Sequence, residues 1–326
     1  MAPVESAFSK NCAPWPITMP DTGPSTQRRR LLLVGATALG AAALPGLMRW
    51  RRGALQPLST TQAAMPDTPV TIALGDPKQF DLHAPGARID RQPVGMHFYE
   101  RRWPLTALGT VRYLQGPRSF DLPWVSGVMG SCDPEEPGEG IYAWHVRAFA
   151  LPGDRMRHEY ARDNLFALFR ELQRAGWRRF VLGSEPRLLG REALRYFEEQ
   201  GGAYPLDPAF PLQLEQWMRI NLDLPYWQFW ADGVYMTLRV IDEPALRHPQ
   251  TKGVYMFSLE LESEAAFFRS YFREVEDMKH WKERIAAELE RYRHLRPEKE
   301  AELRTQGYTI DETYRDPPIL ALAGAA

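Results

Sequence analysis

Cysteine is scarce in this 326-residue chain: there are two, Cys12 and Cys132. That excludes a disulfide scaffold and any cysteine-rich zinc or iron–sulfur module. The seven histidines (83, 97, 145, 158, 248, 280 and 294) never fall at metal-ligand spacing, and no His-Glu-x-x-His occurs. No metal and no cofactor is expected. The G-x-S-x-G nucleophile elbow, the P-loop and G-x-G-x-x-G are missing as well. Gly130-Ser131-Cys132 and Gly183-Ser184-Glu185 are the nearest fragments, and neither fits the elbow. Net charge is almost nil, with 40 Lys and Arg against 41 Asp and Glu. What the chain does have is 44% hydrophobic and 12% aromatic residues. That is enough for a real core and excludes a disordered or collagen-like chain.

Residues 31–48, LLLVGATALGAAALPGLM, carry no charge over eighteen positions. As a helix the run would rise about 27 Å, close to the hydrocarbon thickness of a bilayer. Arg28, Arg29 and Arg30 stand before it, and Arg49, Arg51 and Arg52 after it. Charges at both ends suit lipid interfaces better than a buried core helix. Two membrane readings fit. Thr26-Gln27-Arg28-Arg29-Arg30-Leu31-Leu32 has the form of a twin-arginine export signal. Its cleavage site would be Ala41-Ala42-Ala43, a poor match because Leu44-Pro45 follows. The other reading, and the preferred one, is an uncleaved single-pass anchor in the inner membrane. Pro45 and Gly46 would then lie near the outer boundary, where a helix break costs least. The arginine flanks nearly cancel under the positive-inside rule; Lys10 tips the N-terminus to the cytoplasm and the soluble part to the periplasm. An intact anchor then keeps Cys12 and Cys132 on opposite sides of the membrane, so no disulfide joins them.

The expected organisation is a disordered N-terminus (1–27), a transmembrane anchor or signal segment (28–52), a linker (53–68) and a soluble α/β domain (69–326). This division changes the meaning of the near-zero charge. Residues 1–65 hold seven basic and two acidic side chains, which leaves 33 basic and 39 acidic ones for the rest. An acidic soluble domain argues against nucleic acid as a partner and permits a basic protein.

Within that domain the fold class expected is α/β or α+β with a mixed sheet. Val70 to Leu74 and Gly95 to Tyr99 read as strands, and the proline-punctuated stretch 101–140 reads as loop-rich. Ile141 to Leu151 alternates as a strand with large groups on both faces. A helix follows with Asp154 as its N-cap, then a strand at Arg179 to Leu182. This strand–helix–strand unit implies a right-handed crossover in a parallel pair, with Ser184-Glu185 at the carboxyl end where α/β sheets place ligands. Helices are expected at 190–200 and 211–220, and an antiparallel hairpin from strands 234–241 and 254–261. A strongly helical stretch runs from Ser263 to Arg296 and breaks at Pro297; its stripe of Phe267, Phe268, Tyr271 and Phe272 reads as core.

Few residues suggest chemistry. Cys132 paired with His145 or His158 would make a nucleophile, but the acidic neighbours Asp133, Glu135, Glu136 and Glu139 raise a thiol pKa, so a structural thiol is expected. The same acidic loop is a candidate edge for a basic partner through Asp133, Glu135 and Glu136. Among the aromatics of 217–230, Trp227 and Trp230 are candidate partner contacts if exposed, since Trp dominates binding hot spots.

Four stretches form a recognisable set: Ala143-Trp144-His145; Arg179-Phe180-Val181-Leu182 with Ser184-Glu185; Trp230-Ala231-Asp232-Gly233-Val234-Tyr235; and Ile310-Asp311-Glu312 with Tyr314-Arg315-Asp316-Pro317-Pro318. The set resembles proteobacterial proteins of the type VI secretion neighbourhood, encoded beside lipase effectors as immunity or adaptor partners. The resemblance implies a non-enzymatic binding protein whose partner is a secreted effector, and the N-terminal segment supplies the membrane anchor. An immunity protein would need an envelope location, whereas a type VI adaptor would load the effector in the cytoplasm. The rival reading is a twin-arginine-exported envelope enzyme, with chemistry near Ser184-Glu185 or Cys132.

Overall fold

The computed structural model describes residues 69–323, apart from Val94, Asp154, Asn221, Asp223 and Leu224. The apolar run at 31–48, its flanking Arg28, Arg29, Arg30, Arg49, Arg51 and Arg52, and the expected cap Asp154 lie outside the described residues. No helix among the described residues is long and apolar enough to cross a membrane.

The fold is mixed α/β around one ten-stranded sheet. Its strands are β1 (Val70–Ile72), β2 (Ala87–Arg91), β3 (His97–Arg102), β4 (Gly109–Tyr113), β5 (Phe120–Cys132), β6 (Ile141–Phe149), β7 (Arg178–Arg179), β8 (Trp227–Ala231), β9 (Val234–Asp242) and β10 (Tyr255–Ser263). They lie in the order β1-β4-β5-β6-β10-β9-β8-β7, and β3 pairs with the second half of β5 and carries β2. β1 and β4 are parallel, and the remaining strand pairs are antiparallel. The helices are α1 (His158–Arg174), α2 (Gly190–Gln200), α3 (Leu214–Arg219), α4 (Glu264–Arg269), α5 (Val275–Lys279), α6 (Trp281–Tyr292) and α7 (Leu295–Thr305).

Alternation along the strands divides the core. Trp144, Val146 and Ala148 of β6 and Tyr255, Phe257, Leu259 and Leu261 of β10 point to one face. There α1 brings Phe166 and Phe169 onto Trp227, with ring centroids 6.5 and 5.2 Å apart. On the opposite face a second cluster joins Phe180, Trp230 and Tyr235 to Phe267, Phe268, Trp281 and Ile285. Tyr235 stacks on Phe267 at 3.8 Å. Phe267, Phe268 and Phe272 are thus core, as their spacing predicts.

Four expectations need correction. The stretch read as loop-rich holds β4 and the thirteen-residue β5. Pro123 is tolerated inside β5 because it falls at a register shift against β4, followed by Trp124 at φ +60°. Proline lacks a ladder donor, and a bulge removes the need for one. β7 is not a neighbour of β6: it closes the far edge of the sheet, antiparallel to β8, with β10, β9 and β8 in between. Later strands therefore fill the gap that a simple parallel crossover would leave empty. α1 begins at His158 with Arg157 in the cap position and no side-chain cap. The long C-terminal helix is four, and Pro297 lies in the first turn of α7, where a missing N–H is harmless. The 234–241 and 254–261 strands do form the expected antiparallel pair, with Tyr255 opposite Asp242 and Ser263 opposite Val234.

Candidate functional site

The acidic loop caps the β5–β6 turn. Asp133 Oδ1 accepts from the Glu135 N–H at 2.9 Å, so Asp133 shapes the turn. Glu139 is held by Arg269 of α4. Glu135 is exposed and Glu136 partly so, and neither carboxylate has an ion-pair partner among the described residues. Of the three acidic candidates, two are open to a partner and one is structural.

The two tryptophan candidates are interior. Trp227 is 0% exposed and Trp230 is 5% exposed. β8 is flanked by β9 and β7 and covered on both faces, so aromatic density here builds core. The guanidinium of Arg178 lies 4.9 Å from the Trp230 ring centroid. Neither tryptophan offers contact area to a partner.

The side chains suited to nucleophilic chemistry are engaged elsewhere. Cys132 is buried, and burial, then the Asp133 charge, pushes its thiol pKa up. His158 is buried with Nδ1 2.6 Å from the Tyr255 hydroxyl and Nε2 2.9 Å from the His248 carbonyl. A carbonyl only accepts, so Nε2 carries the hydrogen and Nδ1 accepts from the tyrosine. His145 Nε2 lies 3.3 Å from Glu260 Oε1.

The Ser184-Glu185 turn is a clamp. Lys299 Nζ pairs with Glu185 at 3.0 Å. Arg296 donates to the carbonyls of Leu182 (2.9 Å) and Glu185 (3.0 Å) and forks onto Asp316 at 2.6 and 2.8 Å. The Val181 N–H donates to the Tyr314 hydroxyl at 2.9 Å, and the Asp311 N–H to the Arg187 carbonyl at 2.7 Å. Arg187 grips Glu300 through its backbone N–H, Nε and Nη2 at 3.0, 2.8 and 2.7 Å. Two of the four sequence stretches, 179–185 and 310–318, therefore meet, and what they build there is a joint between sheet edge, α7 and tail.

One polar array was not singled out from sequence. Register sets Met129, His145, Glu260, Thr237 and Gln228 side by side across β5, β6, β10, β9 and β8, on the face opposite α1. The His145 and Glu260 side chains are 17% and 41% exposed. Glu262 lies two residues along the same face. Burial, reinforced by the Glu260 charge, pushes its carboxyl up to about 8. Burial pushes His145 down; the Glu260 charge opposes this and the Arg147 charge adds to it. The alternation of Ser258, Glu260 and Glu262 with Leu259 and Leu261 was visible in sequence as a polar strand face, but its neighbours were not.

A depression of about 180 Å³ lies between Arg162, Phe166 and Arg170 of α1 and Pro211 to Gln213. Among the described residues no group of three or more His, Cys, Asp or Glu side chains could hold a metal ion. No protein-family model, curated protein or solved structure matches the chain.

Proposed function

We propose that this chain is a non-catalytic binding protein, anchored in the inner membrane through residues 31–48, that recognises a secreted effector. Its role in this reading is immunity against a type VI secretion lipase, with the soluble domain in the periplasm where such a toxin acts. The observation that carries the reading is the β5–β6 tip: Glu135 and Glu136 of an acidic domain have no ion-pair partner among the described residues. His158, His145 and the Cys132 thiol are meanwhile tied to Tyr255, Glu260 and the core, respectively. Open carboxylates on a hydrogen-bonded turn suit electrostatic recognition of a basic partner surface.

Protection is the test. Cells producing the full chain should survive a periplasm-directed lipase effector encoded beside its gene, and cells without it should not. Glu135→Lys with Glu136→Lys should weaken the complex by about tenfold or more, since like-charge contacts oppose docking. A complex that co-purifies without protecting cells would favour the adaptor role. The absence of both complex and protection would overturn the binding reading.

A further inference from the structure

β1, β7 and β2 each pair with a single neighbour. β1 has three residues and β7 two, whereas β2, Ala87-Arg88-Ile89-Asp90-Arg91, has five. Its register says which backbone groups face away from β3. The Gln92 N–H donates to the Met96 carbonyl at 2.8 Å and the Arg102 N–H to the Gly86 carbonyl at 3.4 Å, so even-numbered residues of this stretch bond inward. An antiparallel ladder alternates, and the odd-numbered residues therefore turn outward. The N–H groups of Ile89 and Arg91 and the carbonyls of Ala87 and Ile89 have no hydrogen-bond partner among the described residues. The side chains do not close the edge. That of Arg88 is 59% exposed, Arg91 is exposed, and Ile89 is half-buried and belongs to neither core cluster.

Charges on an open edge discourage most strands from adding to it. On β2 their order also selects one strand. Bonding along this edge sets odd residues against odd residues. A second copy turned about a two-fold axis at Ile89 places its Asp90 opposite Arg88 and its Arg88 opposite Asp90. Ile89 then exchanges both backbone hydrogen bonds with Ile89 of the second copy, and each Arg91 N–H reaches the Ala87 carbonyl opposite. Sliding by one bonding step puts Arg88 against Arg88 in one direction and Asp90 against Asp90 in the other. Like charges directly opposed destabilise a strand pair, and opposite charges support it. Both side chains have capacity to spare. Glu100 takes the Nε and Nη2 of Arg88 at 2.9 and 2.6 Å, which leaves the Nη1 side of the fork. Asp90 accepts from Gln92 Nε2 at 2.9 Å, one bond of the several a carboxylate can take.

We propose that β2 is a homodimer edge, along which two copies of this chain join their sheets antiparallel through residues 87–91, with Ile89 on the axis and Arg88 paired to Asp90 across it. Such an interface is isologous, the commonest form of closed assembly. It does not depend on the binding role above.

The test uses the full chain in detergent. On a Cys12→Ser background the remaining native thiol, Cys132, is buried. Ile89→Cys then sets two thiols across the axis at a Cα separation of about 5.5 Å, inside disulfide range. Oxidised glutathione should link most of that variant into a dimer on a non-reducing gel. Arg91→Cys should give no link, since its counterpart lies about 14 Å away along the strand. Sedimentation equilibrium reads the charge rule. Asp90→Arg sets like charges opposite Arg88 in both copies and should weaken the dimer about tenfold or more. Arg88→Asp should do the same, and an equimolar mixture of the two variants should dimerise as the wild type does, because each charge again meets its opposite. Ile89→Pro removes an outward N–H and no inward bond, so it should give a monomer with an unchanged thermal midpoint. A dimer indifferent to both Asp90→Arg and Ile89→Pro is held elsewhere and overturns the proposal. A wild-type monomer at micromolar concentration overturns it too, whether the edge is then bare, taken by residues 53–68 or kept for a strand of another protein.

Discussion

Arg187→Ala lowers the unfolding free energy by about 3–5 kcal/mol, the usual result of stripping one partner from a buried ion pair. Glu300 is 2% exposed, and Arg187 supplies three of its hydrogen bonds, one from backbone and two from the guanidinium. Arg304 lies 3.9 Å away and is half-exposed, too distant to take over. Burial opposes the charge of Glu300, yet the Arg187 hydrogen bonds and the charges of Arg187 and Arg296 outweigh it and hold the carboxyl below its usual range. A depressed carboxyl stabilises the fold above its unfolded pKa of about 4.3, and that contribution is lost as pH falls through the folded value. Urea unfolding of the wild type should therefore show stability falling on the acid side, and Arg187→Ala should weaken that dependence. Replacing both partners, Arg187→Met with Glu300→Leu, should recover part of the loss because no charge is left stranded.

Gly140→Ala costs roughly 2–4 kcal/mol, from an unfavourable backbone conformation and broken backbone hydrogen bonds. Gly140 has φ +62°, and a Cβ there would lie 2.0 Å from the Gly75 carbonyl oxygen and 2.5 Å from its carbon. Those atoms are backbone and cannot swing away. They belong to a reciprocal bridge, Gly75 N–H to Ile141 O at 2.8 Å and Ile141 N–H to Gly75 O at 2.7 Å. Relieving the clash means parting that bridge at the base of the acidic tip. Gly138→Ala is the control: nothing lies within 4 Å of the added atom. If the tip meets the partner, Gly140→Ala should weaken the complex as well as the fold, while Gly138→Ala should spare both.

Period and alternation carried the sequence reading where an element answers to one clear burial pattern. β6, β9, β10 and α1 are such elements, and each was placed within a few residues. β5 was hidden because Pro123 reads as a strand breaker until the bulge that accommodates it is known. The position of β7 was hidden for a different reason. Which strands stand between β6 and β7 depends on later segments of chain, and no local pattern encodes that. Aromatic density at 226–230 was legible, but burial of Trp227 and Trp230 follows from covers supplied by α1 and by α4 to α6. The clamp was illegible for the same cause: Arg187 and Glu300 lie 113 residues apart. At the β5–β6 tip the acidic residues were legible, whereas the split between structural Asp133 and free Glu135 and Glu136 needed hydrogen-bond geometry.

The measurement that bears most directly on the proposed immunity role is the encounter of the purified full chain with a purified lipase effector, taken from a gene adjacent to its own where one is found. Light scattering after size exclusion gives stoichiometry, and mass spectrometry gives the covalent state of the effector. A binding protein yields a stable complex of fixed stoichiometry in which the effector is chemically unchanged and its lipase activity falls in proportion to the amount bound. An effector altered covalently by substoichiometric amounts of the chain, or no complex at micromolar concentrations, would contradict a non-catalytic binding role.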